Sequence, residues 1–350
     1  MRRPTQVDVA ERAGVSRATV SYVINGQASD KGRIPQDTID RVLQIVEELG
    51  YEPDAGARAL RSGNSKTIGL IIPDLHNPHF WENADGVEQA ARAAGYRLLL
   101  SSADLNAQYG EEIFKDLSGR RIDALILIGV AVDQSPEAQA TLTRSISRNL
   151  PIVEVNDRVE TDSHVDTVAS DYRSTTTEAM AHLFAFGHRR ISLVYGVAAA
   201  DLAVDRLEPY REALVSQGLP VDDELIINCG PTFEDGYQAA SRLLTSENPP
   251  TAIVAINDIL ALGVLRAAGD YGLQVPEDFS LVGFDDIPAA RYLVPRLTTA
   301  SKDAVRMGRE AVHLALSRID NPGQPSRVVR IPSQFIVRES TGPVPGRNGR

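Results

Sequence analysis

Residues 7–26 read VDVAERAGVSRATVSYVING, and the punctuation in this stretch decides how the chain begins. Thr5 and Asp8 stand three apart ahead of Val9, Ala10 and Ala13, the spacing of a capping box with Asp in place of Glu. Gly14 breaks this first helix. Ser16 caps a second, in which Val20, Val23 and Ile24 recur at helical spacing and which stops at Asn25-Gly26. A polar loop, QASDKGRIP, leads to a third helix that starts near Pro35. It is expected to bury Ile39, Val42, Leu43, Val46 and Leu49 and to stop at Gly50. Two helices joined by a tight glycine-containing turn and braced by a third make a helix-turn-helix.

Downstream, residues 53–65 (PDAGARALRSGNS) carry few apolar anchors between Pro53 and Gly63. They read as a linker, or as a weak helix capped by Asp54 and weakened at Gly56 by roughly 1 kcal/mol relative to alanine. Such a hinge orders only when a partner holds it. From Lys66 the pattern becomes short β-rich runs separated by amphipathic helices. Strands are expected at Thr67–Ile72, Arg97–Ser102, Ala124–Ile128, 152–155, Ile191–Tyr195, Ala252–Ala255 and 280–284, and helices at 175–186, 207–217 and 259–271. Alternating β and α argues for parallel, doubly wound sheets. In such sheets ligands sit beyond the carboxyl ends of the strands, where Asp74, Asn257, Asp258, Asp285 and Asp286 fall.

The bulk numbers set bounds. A chain of 350 residues is too long for one core, so two or three folded units are expected. Arginines follow the first Met with no apolar run behind them, which does not read as a secretory signal. No stretch of roughly 18 apolar residues offers a membrane span. One cysteine, Cys229, fits a reducing, cytoplasmic setting. The net charge of −11 speaks against nucleic acid, yet residues 1–33 hold six Lys/Arg against three acids. A small basic face on an acidic body still binds phosphate.

These segments resemble the lactose/galactose-repressor (LacI/GalR) family of bacterial transcriptional regulators over residues 5–340. Behind the helix-turn-helix come IGLIIPDLHNPHF, FGHRRISLVYG, TAIVAINDILALG, VPEDFSLVGFDD and PRLTT, blocks that are similar to the family's and in its order. The resemblance implies an N-terminal all-α helix-turn-helix domain and a two-lobed α/β sensor like periplasmic sugar-binding proteins. It implies a head at 1–52, a hinge at 53–65, an effector-binding unit at 66–340 and a tail at 341–350. One lobe would be 66–165 with 302–326, the other 166–301 with 327–340.

By the same resemblance Ser16 opens the recognition helix and Arg17, Ala18 and Tyr22 face the major groove. Arginine donates twice to a guanine edge, alanine touches a thymine methyl, and tyrosine reaches base or phosphate, unless Tyr22 only packs on a neighbour. Thr5, Ser16, Thr19, Ser21 and Asn25 are phosphate donors, Ser16 while also capping its helix. In the loop, Lys31 and Arg33 add backbone contacts or are simply solvated. Arg58 and Leu60 lie on the hinge, where the family's leucine wedges into the minor groove; otherwise Leu60 packs on the sensor. Asp54, where Asn is common, departs from the usual hinge.

In the sensor the resemblance places an effector between the lobes, against Asp74, His79, Phe80, Arg206, Phe233, Asn257 and Asp285. A sugar or sugar derivative is the implied class, since carboxylate, amide and guanidinium groups hydrogen-bond its oxygens. Asp285 and Asp258 could instead cap strand ends, and His79 could be a surface residue. Pro231 stands where many members have an aromatic, leaving Phe233 as the nearest one.

Other function classes fit less well. The chain lacks a P-loop, a dinucleotide fingerprint, a nucleophile elbow and a metal-spaced His/Cys set, so no enzyme, cofactor or metal is expected. A transporter's solute-binding protein would not carry residues 1–62. The expected machine is a homodimeric repressor: two heads read a near-palindrome, and an effector shifts the lobes and so the hinges. The tail GPVPGRNGR lacks leucine heptads, which argues for a dimer and not a tetramer.

Overall fold

Thr5 caps helix α1 (Gln6–Ala13) as its sequence suggests. Its backbone N–H donates to Asp8 Oδ2 at 2.6 Å, and its hydroxyl accepts from the Asp8 N–H at 3.4 Å. Gly14 ends the helix at φ +63°, a left-handed conformation that costs glycine nothing. Helix α2 (Arg17–Ile24) starts at Ser16, whose Oγ accepts from the Thr19 N–H at 3.1 Å, and α3 (Gln36–Leu49) runs from Pro35 to Gly50. The three close around Val9, Ala10, Ala13, Val20, Val23, Val42 and Ile45. Ile39, Val46 and Leu49 pack on the flanks of this core, but Leu43 does not: it is 47% exposed, and Ile45 is buried in its place. The apolar arc of α3 is wider than the surface that α1 and α2 can cover.

This computed structural model describes residues 4–26, 34–51, 64–119, 122–129, 135–156, 165–196 and 204–344. The chain divides into two units, Met1–Ser65 and Lys66–Arg350. Lys31, Arg33, Arg58 and Leu60, with nearly all of the expected hinge, lie outside the described residues.

The larger unit alternates strand and helix: β1 (Thr67–Ile72), α4 (Pro78–Ala93), β2 (Arg97–Ser102), α5 (Ala107–Gly119), β3 (Ala124–Ile128), α6 (Pro136–Ser147), β4 (Ile152–Asn156) and β5 (Asp166–Ser170). Then come α7 (Tyr172–Ala185), β6 (Ile191–Tyr195), α8 (Val204–Ser216), β7 (Ile226–Asn228), α9 (Phe233–Leu244), β8 (Ala252–Ala255), α10 (Asp258–Asp270), β9 (Ser280–Val282), β10 (Thr299–Ser301), α11 (Ala304–Asp320), β11 (Val328–Ile331) and β12 (Gln334–Ile336). One sheet has the order β11-β5-β4-β3-β1-β2 and a second the order β7-β6-β8-β9, every pair parallel; β10 and β12 form an antiparallel pair.

Alternation along β1 separates the first sheet's two faces. Ile68, Leu70 and Ile72 meet Val87 of α4 and Met307 of α11, while Ile71 joins Leu125, Leu127, Phe114 and Leu117 on the other side. Helices α4 and α11 cross so closely that a Cβ on Gly86 would strike the Val305 backbone, and one on Gly308 the Asn83 carbonyl. The second sheet sits in one continuous core with α7, α9 and α10.

The expected division into lobes needs two corrections. Asp166–Ser170 and Val328–Ile331 pair in the first sheet, whereas boundaries at 165 and 326 assign both to the second lobe. A strand's composition does not say which parallel neighbour it takes; that choice is nonlocal. The expected tail also begins too early. Thr341 bonds His182, Gly342 bonds Ser280 and His188, and the Val344 N–H donates to the Phe186 carbonyl at 2.9 Å. The chain therefore passes between lobes three times, after β5, at 301–304 and at 331–334.

Candidate functional site

Two groups of residues carry chemistry, one in each unit. In the smaller unit the Ser16 cap sends α2 outward so that Arg17 and Ala18 are exposed and Ser21 and Tyr22 half-buried. These four line one depression together with Gln6 of α1, a residue the sequence reading passed over. Several of the expected phosphate donors are already engaged. The Thr5 hydroxyl donates to Asp8 Oδ2 at 2.6 Å, Ser16 Oγ and Thr19 Oγ1 share a hydrogen bond at 2.9 Å, and Asn25 Nδ2 donates to the Ser21 carbonyl at 2.8 Å. Each of these bonds lies within a single helix or its cap, α1 for Thr5 and α2 for the others. Arg17 and Ala18 are exposed, as are Ser16 and Asn25.

In the larger unit the carboxyl ends of strands and two of the crossovers converge on Tyr172. It is the first residue of α7, directly after the β5 crossover, and is fully buried. Its hydroxyl donates to Asp285 Oδ1 at 2.9 Å and its ring meets Phe284 edge-on, centroids 5.4 Å apart. Arg206 of α8, 6% exposed, lays its guanidinium 4.6 Å from the Tyr172 centroid and 5.7 Å from that of Phe284. Lys302, at the second crossover, brings its Nζ to 5.1 Å from the same tyrosine ring. Such cation–π contacts strengthen when desolvated.

Asp285 is built for this place. Its backbone φ is +107°, a region that L side chains rarely adopt, and its N–H donates to the Ala300 carbonyl at 2.7 Å. Strain of this kind collects at ligand sites. Across from it, buried His79 of α4 brings Nδ1 to 3.8 Å from Asp285 Oδ1. Nε2 of the ring lies 3.2 Å from Asn83 Nδ2, so Nδ1 is the ring nitrogen turned toward the carboxylate. His79 and Asp285 thus face one another from the two lobes.

Of the other expected effector residues, Asp74 and Asn257 lie just past strands and Phe80 and Phe233 in the first turns of helices. Asn257 Oδ1 accepts from the Leu260 N–H at 2.8 Å and caps α10. Asp74 accepts from the His76 N–H at 2.8 Å and meets its ring Nδ1 at 2.9 Å. Phe80 packs on the first sheet's core, and Phe233 is 43% exposed at the start of α9. Asp258 is structural: it accepts from the Ile287 N–H at 2.9 Å and from Thr299 Oγ1 at 2.7 Å. Complete burial, with Asp285 nearby, pushes its pKa well above the usual carboxylate range. Tyr172, Lys302 and Asn83 were missed in sequence. The position of Tyr172 just past a strand could have flagged it, had β5 been read.

Burial pushes the Cys229 thiol up to about 11, so it stays protonated at neutral pH. Among the described residues no group of His, Cys, Asp and Glu could hold a metal, and no helix is long and apolar enough to cross a membrane.

His188 is spent on the fold. Its Nδ1 lies 3.0 Å from Thr251 Oγ1, and its Nε2 2.9 Å from Ser280 Oγ and 3.0 Å from the Gly342 carbonyl. Burial holds its pKa below the ordinary imidazole value, and that of His182 also. The unfolded chain therefore takes up the protons first. The stability these histidines contribute is present above about pH 6.5 and is lost as pH falls below it. The melting temperature should drop from about pH 7 to about pH 5, and His188→Asn should flatten that drop. Parallel pH profiles for the two chains would show that His188 plays no part.

Residues 5–54 match the family described as bacterial regulatory proteins, lacI family, and residues 180–341 match the periplasmic binding protein-like domain. The ribose operon repressor of Haemophilus influenzae is 34% identical over 337 residues, covering 96% of this chain and 98% of the relative. A lac repressor dimer bound to operator and an anti-inducer superposes with a TM-score of 0.83 at 25% identity, over 97% of this chain and 100% of that one. A LacI family transcriptional regulator from Enterococcus faecium with bound ribose gives a TM-score of 0.70 at 28% identity, over 79% and 99%.

Proposed function

The chain belongs to the lacI family of bacterial regulatory proteins, and from that premise we propose that it is a sequence-specific transcriptional repressor whose hold on operator DNA is set by a small-molecule effector. The observation that carries the DNA half is the depression lined by Gln6, Arg17, Ala18, Ser21 and Tyr22, presented by a Ser16-capped helix. Arg17 and Ala18 read base edges in the major groove. Thr5, Ser16, Thr19, Ser21 and Asn25 hold the phosphates on either side, and Tyr22 reaches base or phosphate. Lys31, Arg33, Arg58 and Leu60 add backbone and minor-groove contacts. The protein acts in the cytoplasm as a homodimer, as the related lac repressor does on its operator, with each head on one half-site.

The effector, a sugar or sugar derivative, lies between the lobes against Asp74, His79, Phe80, Arg206, Phe233, Asn257 and Asp285. It binds one arrangement of the lobes better than the other, and by that difference alone changes DNA affinity. The unit boundaries follow: a head to residue 52, a hinge to 65 and a sensor from 66 that extends to residue 344.

No catalytic step is involved; incubation with candidate sugars should return them unchanged. The deciding experiment is a salt-dependent titration of the full chain against genomic fragments, including the one upstream of its own gene. Tight binding to a few fragments over the background is the expected result. Uniform binding that vanishes with salt on every fragment, with or without sugars, would sink the reading.

A further inference from the structure

We propose that Asn83 is a positioning residue of the cleft: it fixes His79 in the neutral form protonated at Nδ1, so that the first lobe presents a hydrogen-bond donor to Asp285 and to an effector oxygen. This rests on the reading of the cleft given above and deepens it.

The carrying observation is that one amide nitrogen meets two atoms of the same histidine. Asn83 and His79 stand one turn apart on α4, and both are buried, 1% and 2% exposed. Asn83 Nδ2 lies 3.2 Å from His79 Nε2 and 3.2 Å from the His79 carbonyl oxygen. A carbonyl oxygen only accepts, so the amide atom beside it is the nitrogen, and the two ends of the amide are told apart. That nitrogen carries two hydrogens, one for each partner. It only donates, so Nε2 has to offer its lone pair. A proton on Nε2, whether in the other neutral tautomer or in the imidazolium, would set donor against donor at a buried position. The ring hydrogen therefore sits on Nδ1, the nitrogen that lies 3.8 Å from Asp285 Oδ1 on the second lobe.

Packing by itself does not call for an amide here. What meets α11 is the Asn83 backbone, whose carbonyl a Cβ on Gly308 would strike. In a helix interior asparagine is a poorer helix former than leucine or methionine, and burying its amide costs hydration that only hydrogen bonds return. Among the described residues Asn83 Oδ1 has no hydrogen-bond partner, so that half of the amide is buried unmatched. The matched half is the one that serves His79.

The cleft thus has unlike groups on its two sides. Asp285 accepts from the second lobe, where the Tyr172 hydroxyl holds it at 2.9 Å. His79 donates from the first. The 3.8 Å between them exceeds a hydrogen bond, and a closer arrangement of the lobes would shorten it into one. A sugar oxygen that accepts from Nδ1 competes for the same N–H, which couples the ligand to the lobe arrangement. With Nε2 protonated instead, the neutral ring would turn a lone pair toward the carboxylate and the sugar's oxygens, and the donor would be lost.

The test records long-range proton–nitrogen correlations of the full chain carrying isotope-labelled histidine, at neutral pH, with His79 assigned by the signals that vanish in His79→Gln. The two ring nitrogens together separate the Nδ1–H form, the Nε2–H form and the imidazolium. The Nδ1–H form should exceed the others about fivefold or more, one ordinary hydrogen bond's worth. Asn83→Asp keeps the shape but offers Nε2 an acceptor, and should place a proton on Nε2 in most molecules. Asn83→Leu removes the donor and should lower the ratio to about twofold or less. Circular dichroism that matches the parent shows each variant folded, and either variant alone is enough to read the effect. A parent with Nε2 protonated, or a ratio that survives the substitutions, would overturn the proposal. Ribose, glucose and galactose are then titrated into the parent, and a sugar that binds should move the His79 Nδ1–H signal. A sugar that binds and leaves His79 unmoved overturns the contact between His79 and the effector. If none binds while the ring is protonated as expected, the sugar reading of the cleft fails and the role of Asn83 toward His79 stands.

Discussion

Asp166→Ala should destabilise the larger unit by about 3–5 kcal/mol, the usual cost of removing one partner from a buried ion pair. The Asp166 side chain has no exposure, and it binds Arg318 in two places, Oδ2 to Nε at 3.0 Å and Oδ1 to Nη2 at 2.9 Å. It also accepts from the Arg327 backbone N–H at 2.8 Å. One carboxylate thereby joins the start of β5 to the last turn of α11 and the entry to β11, 152 and 161 residues further along the chain. Alanine would leave the Arg318 guanidinium, 16% exposed, without its main counter-charge. Urea denaturation followed by tryptophan fluorescence or circular dichroism measures the loss. A double variant, Asp166→Ala with Arg318→Met, removes both charges and should recover part of the stability. A single-variant loss below about 1 kcal/mol would mean that the pair is solvated in solution and worth no more than a surface bridge.

The second large effect is on regulation. Arg206→Ala should weaken effector binding roughly 10- to 150-fold, the range for losing a hydrogen bond to a charged group. Its affinity for the operator fragment should stay within about threefold of the parent, since the residue lies in the other unit. Arg206→Lys should not restore binding, because an ammonium cannot reproduce a planar fork resting on Tyr172 and Phe284. Effector titrations watched by operator release would read both quantities in one experiment. If alanine abolishes DNA binding and effector binding together, Arg206 is a folding residue that braces two aromatic rings.

The proposals rest on residues of unequal legibility. The family resemblance pointed to Arg206 and Asp285, the latter within the block VPEDFSLVGFDD. Tyr172 and Lys302 lie in no such block. Tyr172 follows an unremarked strand, and Lys302 sits in a crossover between elements. Likewise Gln6 carries no signal of its own, and becomes part of a candidate DNA face only because α1 and α2 cross where they do.

Local grammar determined most of the head. Thr5, Gly14, Ser16, Asn25 and Gly50 act within one turn of their own position, through hydrogen bonds to neighbouring backbone and through φ values that only some residues adopt. The alternation of β and α runs, likewise local, determined that the rest is parallel and doubly wound. Other features were decided by contacts between segments that are distant in sequence. Pairing placed β5 and β11 in the first sheet, because an apolar parallel strand suits many neighbours and the Asp166–Arg318 clamp was invisible beforehand. Coverage decided that Leu43 faces solvent. The tail to Val344 became part of the sensor through His182, His188 and Phe186. Only tertiary structure could set two cations and a carboxylate around one tyrosine, because the four side chains come from four separate stretches of the chain and their energy of interaction depends on distance and burial, which no single stretch contains.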